Sequence, residues 1–101
     1  MGLLSFLFGN NQKKQDQIID IISNGGIIID VRTPQEYKGG HVKGSKNIPL
    51  NTIKGQIKSI QKMNKSVILC CASGARSAQA TNILKSAGIE ALNGGSWRSL
   101  A

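Results

Sequence analysis

Val67-Ile68-Leu69-Cys70-Cys71-Ala72-Ser73-Gly74-Ala75-Arg76-Ser77 is the stretch on which the fold turns. Val67 to Cys70 is a short continuous apolar run, which suits a strand buried on both faces. Cys71 to Arg76 has no periodicity and contains Gly74, so it reads as a loop. Ser77 to Ala87 is small and helical, with Gly88 as its stop. The same pattern recurs upstream. Ile27 to Val31 is a second buried-type strand, and Thr33-Pro34-Gln35-Glu36 after it is a capping box with proline at the first helical position. Further out, Ile18, Ile19, Ile21 and Ile22 recur at helical spacing until Asn24-Gly25-Gly26 stops them. Asn10 to Gln15 is polar and reads as a connector. Lys46 to Ile48 is a short strand closed by Pro49. Asn51 or Thr52 caps a helix through about Met63, with Ile53, Ile57 and Ile60 on one face. Ile89 to Leu92 is a last strand and Asn93-Gly94-Gly95 a turn. Strands alternating with helices predict an α/β fold with a mostly parallel sheet.

The chain of 101 residues bounds this fold to one domain. Its two cysteines are adjacent, too close for ordinary disulfide geometry. One histidine and no C-x-x-C pair leave no structural zinc site to expect. Thirteen Lys and Arg against five Asp and Glu give a net charge of +8. That excess attracts anions. The four aromatics form no stacking platform and no nucleic-acid signature is present, so nucleic acid is not an expected partner. Lys54, Lys58 and Lys62 would share one face of a helix, solvated or docked on an acidic partner. The apolar run from Gly2 to Phe8 is too short to span a bilayer. It reads as a first strand, an apolar arm over residues 1–15 docked on the domain, or a weak surface anchor. With no signal or transmembrane segment seen, the expected location is a reducing cytoplasm.

In open α/β sheets, ligands bind outside the carboxyl ends of the strands. Two strands end there in chemically loaded residues, at Asp30-Val31-Arg32 and at Cys70-Cys71. A strand, a tight loop of small residues and a helix N-terminus form an anion cradle. Backbone N–H groups point inward and the helix dipole adds positive charge. A cysteine at the base of such a cradle is held as the nucleophilic thiolate. Arg76 adds a fixed charge and a fork of donors for oxyanions. Cys71, at the strand end, has this electropositive setting. Cys70, within the strand, reads as a small buried hydrophobe.

Cys71-Ala72-Ser73-Gly74-Ala75-Arg76-Ser77 resembles the C-x-x-G-x-R-S loop of rhodanese-like sulfurtransferases. Asp30-Val31-Arg32 with Glu36-Tyr37 resembles the D-V-R-x-x-x-E-[FY] segment of that family. Gly40-His41-Val42-Lys43-Gly44-Ser45 with Asn47-Ile48-Pro49 is similar to its G-H-I-x-G-A-x-N-I-P segment, and Asn93-Gly94-Gly95 with Trp97 to its closing G-G…W. The four matches fall in order between about Ile27 and Trp97. The resemblance implies a single rhodanese-like domain whose sheet is flanked by helices on both faces. It implies sulfur transfer from thiosulfate or another small anionic persulfide donor, through a Cys71 persulfide, to cyanide, a thiol or a thiol-carrier protein. Ala72, Ser73, Gly74, Ala75 and Arg76 would bind the donor, with Asp30, Arg32 and Ser77 supporting the loops. No metal or organic cofactor is implied. His41 and Trp97 take structural roles.

The paired cysteines leave two registers open. Counting from Cys70 gives C-x5-R, the longer loop of phosphatases and arsenate reductases that share the fold. Gly74, three residues after Cys71, and Leu69, where the common phosphatase signature has histidine, favour Cys71. A non-catalytic binding module is the third class, although such modules typically lack the cysteine.

Overall fold

Strand β3, Val67–Cys71, is buried at every residue, and the rest of the chain is arranged to cover it. The computed structural model describes the backbone of residues 2–101 and the side chains of residues 12–101. Helix α1 (Gly2–Ser23) leads through a turn to β1 (Ile27–Asp30), α2 (Pro34–Lys38) and β2 (Lys46–Asn47). A 3-10 segment (Leu50–Gln56) runs into α3 (Ile57–Met63), and β3, α4 (Ala75–Ser86) and β4 (Ala91–Ser96) follow. A 3-10 turn at Trp97–Ser99 comes last. The sheet order is β2-β1-β3-β4, and each pairing is parallel. The fold is α/β.

Alternation along β3 divides its side chains between two faces. Val67, Leu69 and Cys71 join Ile53, Ile60 and Leu84 in the main core, under the 3-10 segment, α3 and α4. Each fully buried Ile or Leu there contributes roughly 1.5–3 kcal/mol over an exposed one. Ile68 and Cys70 belong to the opposite face and are also fully buried. That side is covered by α1, which contacts β3, and by Leu100, which reaches Gly94 beside Ile68.

Three local expectations change. The stretch Asn10 to Gln15 is helical, inside α1. It holds no Gly or Pro, so nothing breaks a helix propagating from the isoleucines. The run from Gly2 to Phe8 is likewise part of α1 and not a strand; how its side chains pack lies outside the described residues. The segment after Pro49 starts as a 3-10 helix and becomes α-helical only at Ile57, just past Gly55. Lys54 is therefore off the α-helical turn that carries Lys58 and Lys62. Asn93, Gly94 and Gly95 lie within β4, not in a turn after it. They form a bulge, in which Leu69 pairs with Asn93 but Cys70 with Gly95. Gly94 fits because a Cβ there would stand 2.8 Å from Ile68 and 3.0 Å from Leu100. Gly95 takes φ +81°, a conformation that side chains resist.

Candidate active site

The helix after β3 begins earlier than its sequence predicts, at Ala75. Gly74 is its N-cap, with φ 105° and ψ −11° and no side-chain cap. The first bond into this turn runs from the Ala78 N–H to the Gly74 carbonyl at 3.0 Å. The N–H groups of the first turn are thus left without helical acceptors, beside the end of β3. Cys71 uses them. Its Sγ accepts the Gly74 N–H at 2.9 Å and faces the Ser77 hydroxyl at 3.4 Å. Burial pushes the thiol pKa up. The Ser77 hydroxyl and the backbone N–H groups of Ser77, Gly74 and Ser73 more than offset it and bring it down to about 7.

Cys70 is treated in the opposite way. Desolvation, reinforced by the Asp30 carboxylate, pushes its thiol up to about 12, against a smaller pull from Arg32. Adjacent residues of one strand thus have their thiol pKa values pushed in opposite directions.

Asp30 and Arg32 brace the neighbouring loops. Both are buried. Arg32 Nη2 donates to Asp30 Oδ2 at 2.7 Å and to the Gly40 carbonyl at 2.7 Å. Its Nε shares both Asp30 oxygens at 3.0 Å, and its Nη1 reaches the Glu36 carbonyl at 3.3 Å. The guanidinium also lies 4.7 Å from the Trp97 ring centroid. Asn47 Nδ2 donates to the Asp30 and Arg32 carbonyls. The loop at 39–41 and the end of β1 are thereby tied to one buried ion pair. His41 stacks on Tyr37 with centroids 3.7 Å apart and donates from Nδ1 to the Tyr37 carbonyl at 2.7 Å.

The Arg76 side chain is engaged by α2. Its fork grips Glu36, with Nη1–Oε1 at 2.7 Å and Nη2–Oε2 at 3.0 Å. Both side chains remain about one-third exposed, at 35% and 38%. Glu36 is within reach because the α2 cap fixes it: Thr33 and Glu36 form the reciprocal box. The Arg76 guanidinium, with help from the Thr33 N–H, holds the Glu36 carboxyl down to about 2. Ala72, Ser73 and Ala75 are exposed around the loop and Gly74 is half-buried.

Asn93 reads from the sequence only as part of a turn and of the closing motif, yet its side chain joins the site. Its Oδ1 lies 2.6 Å from the Ser77 hydroxyl and accepts the Gly95 N–H at 3.0 Å, while its Nδ2 donates to the Gly74 carbonyl at 3.2 Å. The signal for it was the Gly-Gly pair itself, since paired glycines inside a strand mark a bulge of the kind found beside active sites. Glu36 reads from the sequence as a cap and as part of the D-V-R-x-x-x-E-[FY] segment; the same carboxylate also closes the Arg76 pair.

Residues 14–97 match the family model of the rhodanese-like domain, and the chain belongs to that family. It is 41% identical over 61 residues to the thiosulfate sulfurtransferase PspE of Escherichia coli, covering 59% of each chain. It is 43% identical over 61 residues to the uncharacterized protein YqhL of Bacillus subtilis, covering 60% of this chain and 48% of YqhL. The matched regions thus span about half to three-fifths of these curated relatives. Among solved structures, a rhodanese with anions from E. coli superposes with a TM-score of 0.69 at 35% identity, covering 76% of this chain and 93% of that one. Among the described residues, no helix is long and apolar enough to cross a membrane.

Proposed function

We propose that the chain is a cytoplasmic sulfurtransferase whose nucleophile is Cys71. The observation that carries this reading is the Cys71 sulfur held by the Gly74 N–H at 2.9 Å at the N-terminus of α4. The thiolate attacks the outer, sulfane sulfur of thiosulfate or a comparable persulfide donor. A bond forms from Cys71 Sγ to that sulfur, the donor S–S bond breaks, and its electron pair departs with the leaving group, sulfite from thiosulfate or a thiolate from a persulfide donor. The backbone of Ala72, Ser73, Gly74 and Ala75 receives the negative charge on the outer sulfur and the leaving anion. Arg76 contributes when an incoming anion competes with Glu36 for its fork. A nucleophile then attacks the outer sulfur and the electron pair returns to Cys71. Cyanide leaves as thiocyanate, and a thiolate, small or borne on a carrier protein, leaves as a persulfide.

The phosphatase register would need Cys70 Sγ in the cradle. Cys70 instead lies on the other face of β3, with its thiol raised by burial and Asp30.

The test is peptide mass spectrometry of the reduced protein after incubation with thiosulfate. The expected result is one added sulfur on Cys71, released by cyanide. No added sulfur, with both thiols still open to alkylation after denaturation, would overturn the reading and leave the binding module in its place.

A further inference from the structure

The Ser77 hydroxyl has one proton and three acceptors within reach. Asn93 Oδ1 lies at 2.6 Å, the Gly74 carbonyl at 3.2 Å and Cys71 Sγ at 3.4 Å. Ser77 is fully buried, so the choice is made among these groups. The orientation of the Asn93 amide is fixed from both ends. Its oxygen accepts the Gly95 N–H and its nitrogen donates to the Gly74 carbonyl. The group nearest Ser77 is therefore an acceptor only, and beside a neutral thiol the proton belongs on Asn93. A thiolate changes the order, because a charged acceptor makes the stronger hydrogen bond.

We propose that Asn93 is a positioning residue that sets the reactivity of Cys71 by competing with its sulfur for the Ser77 proton. The inference deepens the reading of Cys71 as the nucleophile and rests on it. When Cys71 ionises, the Ser77 hydroxyl turns from Asn93 Oδ1 to Sγ, and Oδ1 keeps the Gly95 N–H. When Sγ bonds to a second sulfur it becomes neutral, and the hydroxyl turns back. Asn93 thus favours the loaded state over the free thiolate, and Ser77 favours the thiolate. Among the described residues, the charged groups on the Asn93 side are Lys13 and Lys14 of α1 and Lys85 of α4, which line one groove with Asn93; Lys14 Nζ lies 4.0 Å from the Cβ position of Gly95. Arg76 of α4 acts on Cys71 but is paired with Glu36 of α2. The Asp30–Arg32 pair of β1 bears on Cys70, on the other face of β3. The side chains of the 3-10 segment and α3 in the core next to Cys71, Ile53 and Ile60, are apolar.

The experiment is a mutant cycle read by the pH profile of Cys71 alkylation with iodoacetamide. Wild type, Asn93→Ala, Ser77→Ala and the double variant are compared, with thermal melts to confirm folding. Asn93→Ala removes both the competing acceptor and the anchor on Gly74. In the Ser77→Ala background only the anchor is lost, so the difference between backgrounds isolates the Ser77 route. The expected result is that Asn93→Ala moves the midpoint lower with Ser77 present than without it. The difference should be about half to one pH unit, the worth of one hydrogen bond. The near-isosteric Asn93→Asp, a stronger acceptor, should raise the midpoint, and by more with Ser77 present. It carries the test where Asn93→Ala fails to fold. Equal shifts in the two backgrounds would overturn the proposal and leave Asn93 as a loop anchor. An ordinary thiol midpoint in the wild type would instead overturn the reading of Cys71 itself.

Discussion

The two adjacent thiols should react with an alkylating agent at rates that differ by orders of magnitude, in an order set by their strand face. Their pKa values of about 7 for Cys71 and about 12 for Cys70 lie about five units apart (12 − 7). At pH 7 about half of Cys71 is thiolate, against roughly one part in 10⁵ of Cys70. The less acidic thiolate is intrinsically the better nucleophile, with a slope of about 0.4–0.5 per unit. That returns roughly a factor of 10² to Cys70. A preference for Cys71 of on the order of 10²–10³ remains before the burial of Cys70 slows it further. The assay is timed iodoacetamide labelling of the reduced native protein from pH 5.5 upward, stopped by acid and read at each cysteine by peptide mass spectrometry. Cys71 labelling should reach half its plateau near pH 7, with Cys70 unlabelled until the protein unfolds. Labelling of Cys70 within tenfold of Cys71 at pH 7 would refute the assignment of faces. A Cys71 midpoint at the ordinary value of 9.0 would refute the claim that the loop donors outweigh burial.

Gly74→Ala forces a side chain into φ 105°, a strain of about 1–3 kcal/mol. It should abolish sulfur transfer and lower the melting temperature by roughly 4–8 °C per kcal/mol; an active variant with unchanged melting would show that the loop tolerates the strain. Asp30→Ala leaves the buried Arg32 guanidinium without its partner. Urea unfolding should register a loss of about 3–5 kcal/mol, and a loss under 1 kcal/mol would mean that Arg32 finds other compensation. The Cys71 thiol is lowered from 9.0 to about 7 on folding, so its contribution is complete above pH 9 and is lost as pH falls through 7. The stability advantage of wild type over Cys71→Ser should therefore grow by about 2 kcal/mol between pH 7 and pH 9, measured by urea unfolding under reducing conditions; a flat or falling difference would contradict the lowered pKa. Arg76→Ala should raise the KM for thiosulfate several-fold and change the cyanide step less, and an unchanged KM would remove Arg76 from donor binding.

The sheet was legible because β3 is a short unbroken apolar run and β1 is apolar up to Asp30, the pattern of strands covered on both faces. The cradle was legible because small residues, a glycine and an arginine follow a strand end directly. What escaped depended on neighbours distant in sequence. The Arg76 fork looked free for an anion, and nothing within its own segment could show Glu36, forty residues earlier, waiting across the site. Gly94-Gly95 looked like a turn because glycine pairs usually are turns. The side chains of Ile68 and Leu100, close to Gly94, and the positive φ of Gly95 explain why a strand keeps two glycines. Helix α1 was misjudged through its polarity: Asn10 to Gln15 looks like a linker by composition, yet helices end at breakers, and it contains none.

The bulge joins these details into one device. Side-chain direction along a strand reverses at every residue, and a slip of one residue exchanges its faces. On β3 that alternation gives Cys71 to the cradle and Cys70 to the far side, so two chemically identical neighbours have different fates. On β4 the extra residue, Gly94, falls at the step between the partners of Leu69 and Cys70. Asn93 thereby contacts Gly74 and Ser77, while Gly95, next to the bulge, packs its backbone beneath Gly74, whose Cβ position lies 3.4 Å from the Gly95 Cα. A strand in strict register would lack the additional residue that makes this approach possible. The setting of the reactive loop is thus fixed twice, by the face that Cys71 occupies on β3 and by the bulge opposite it on β4.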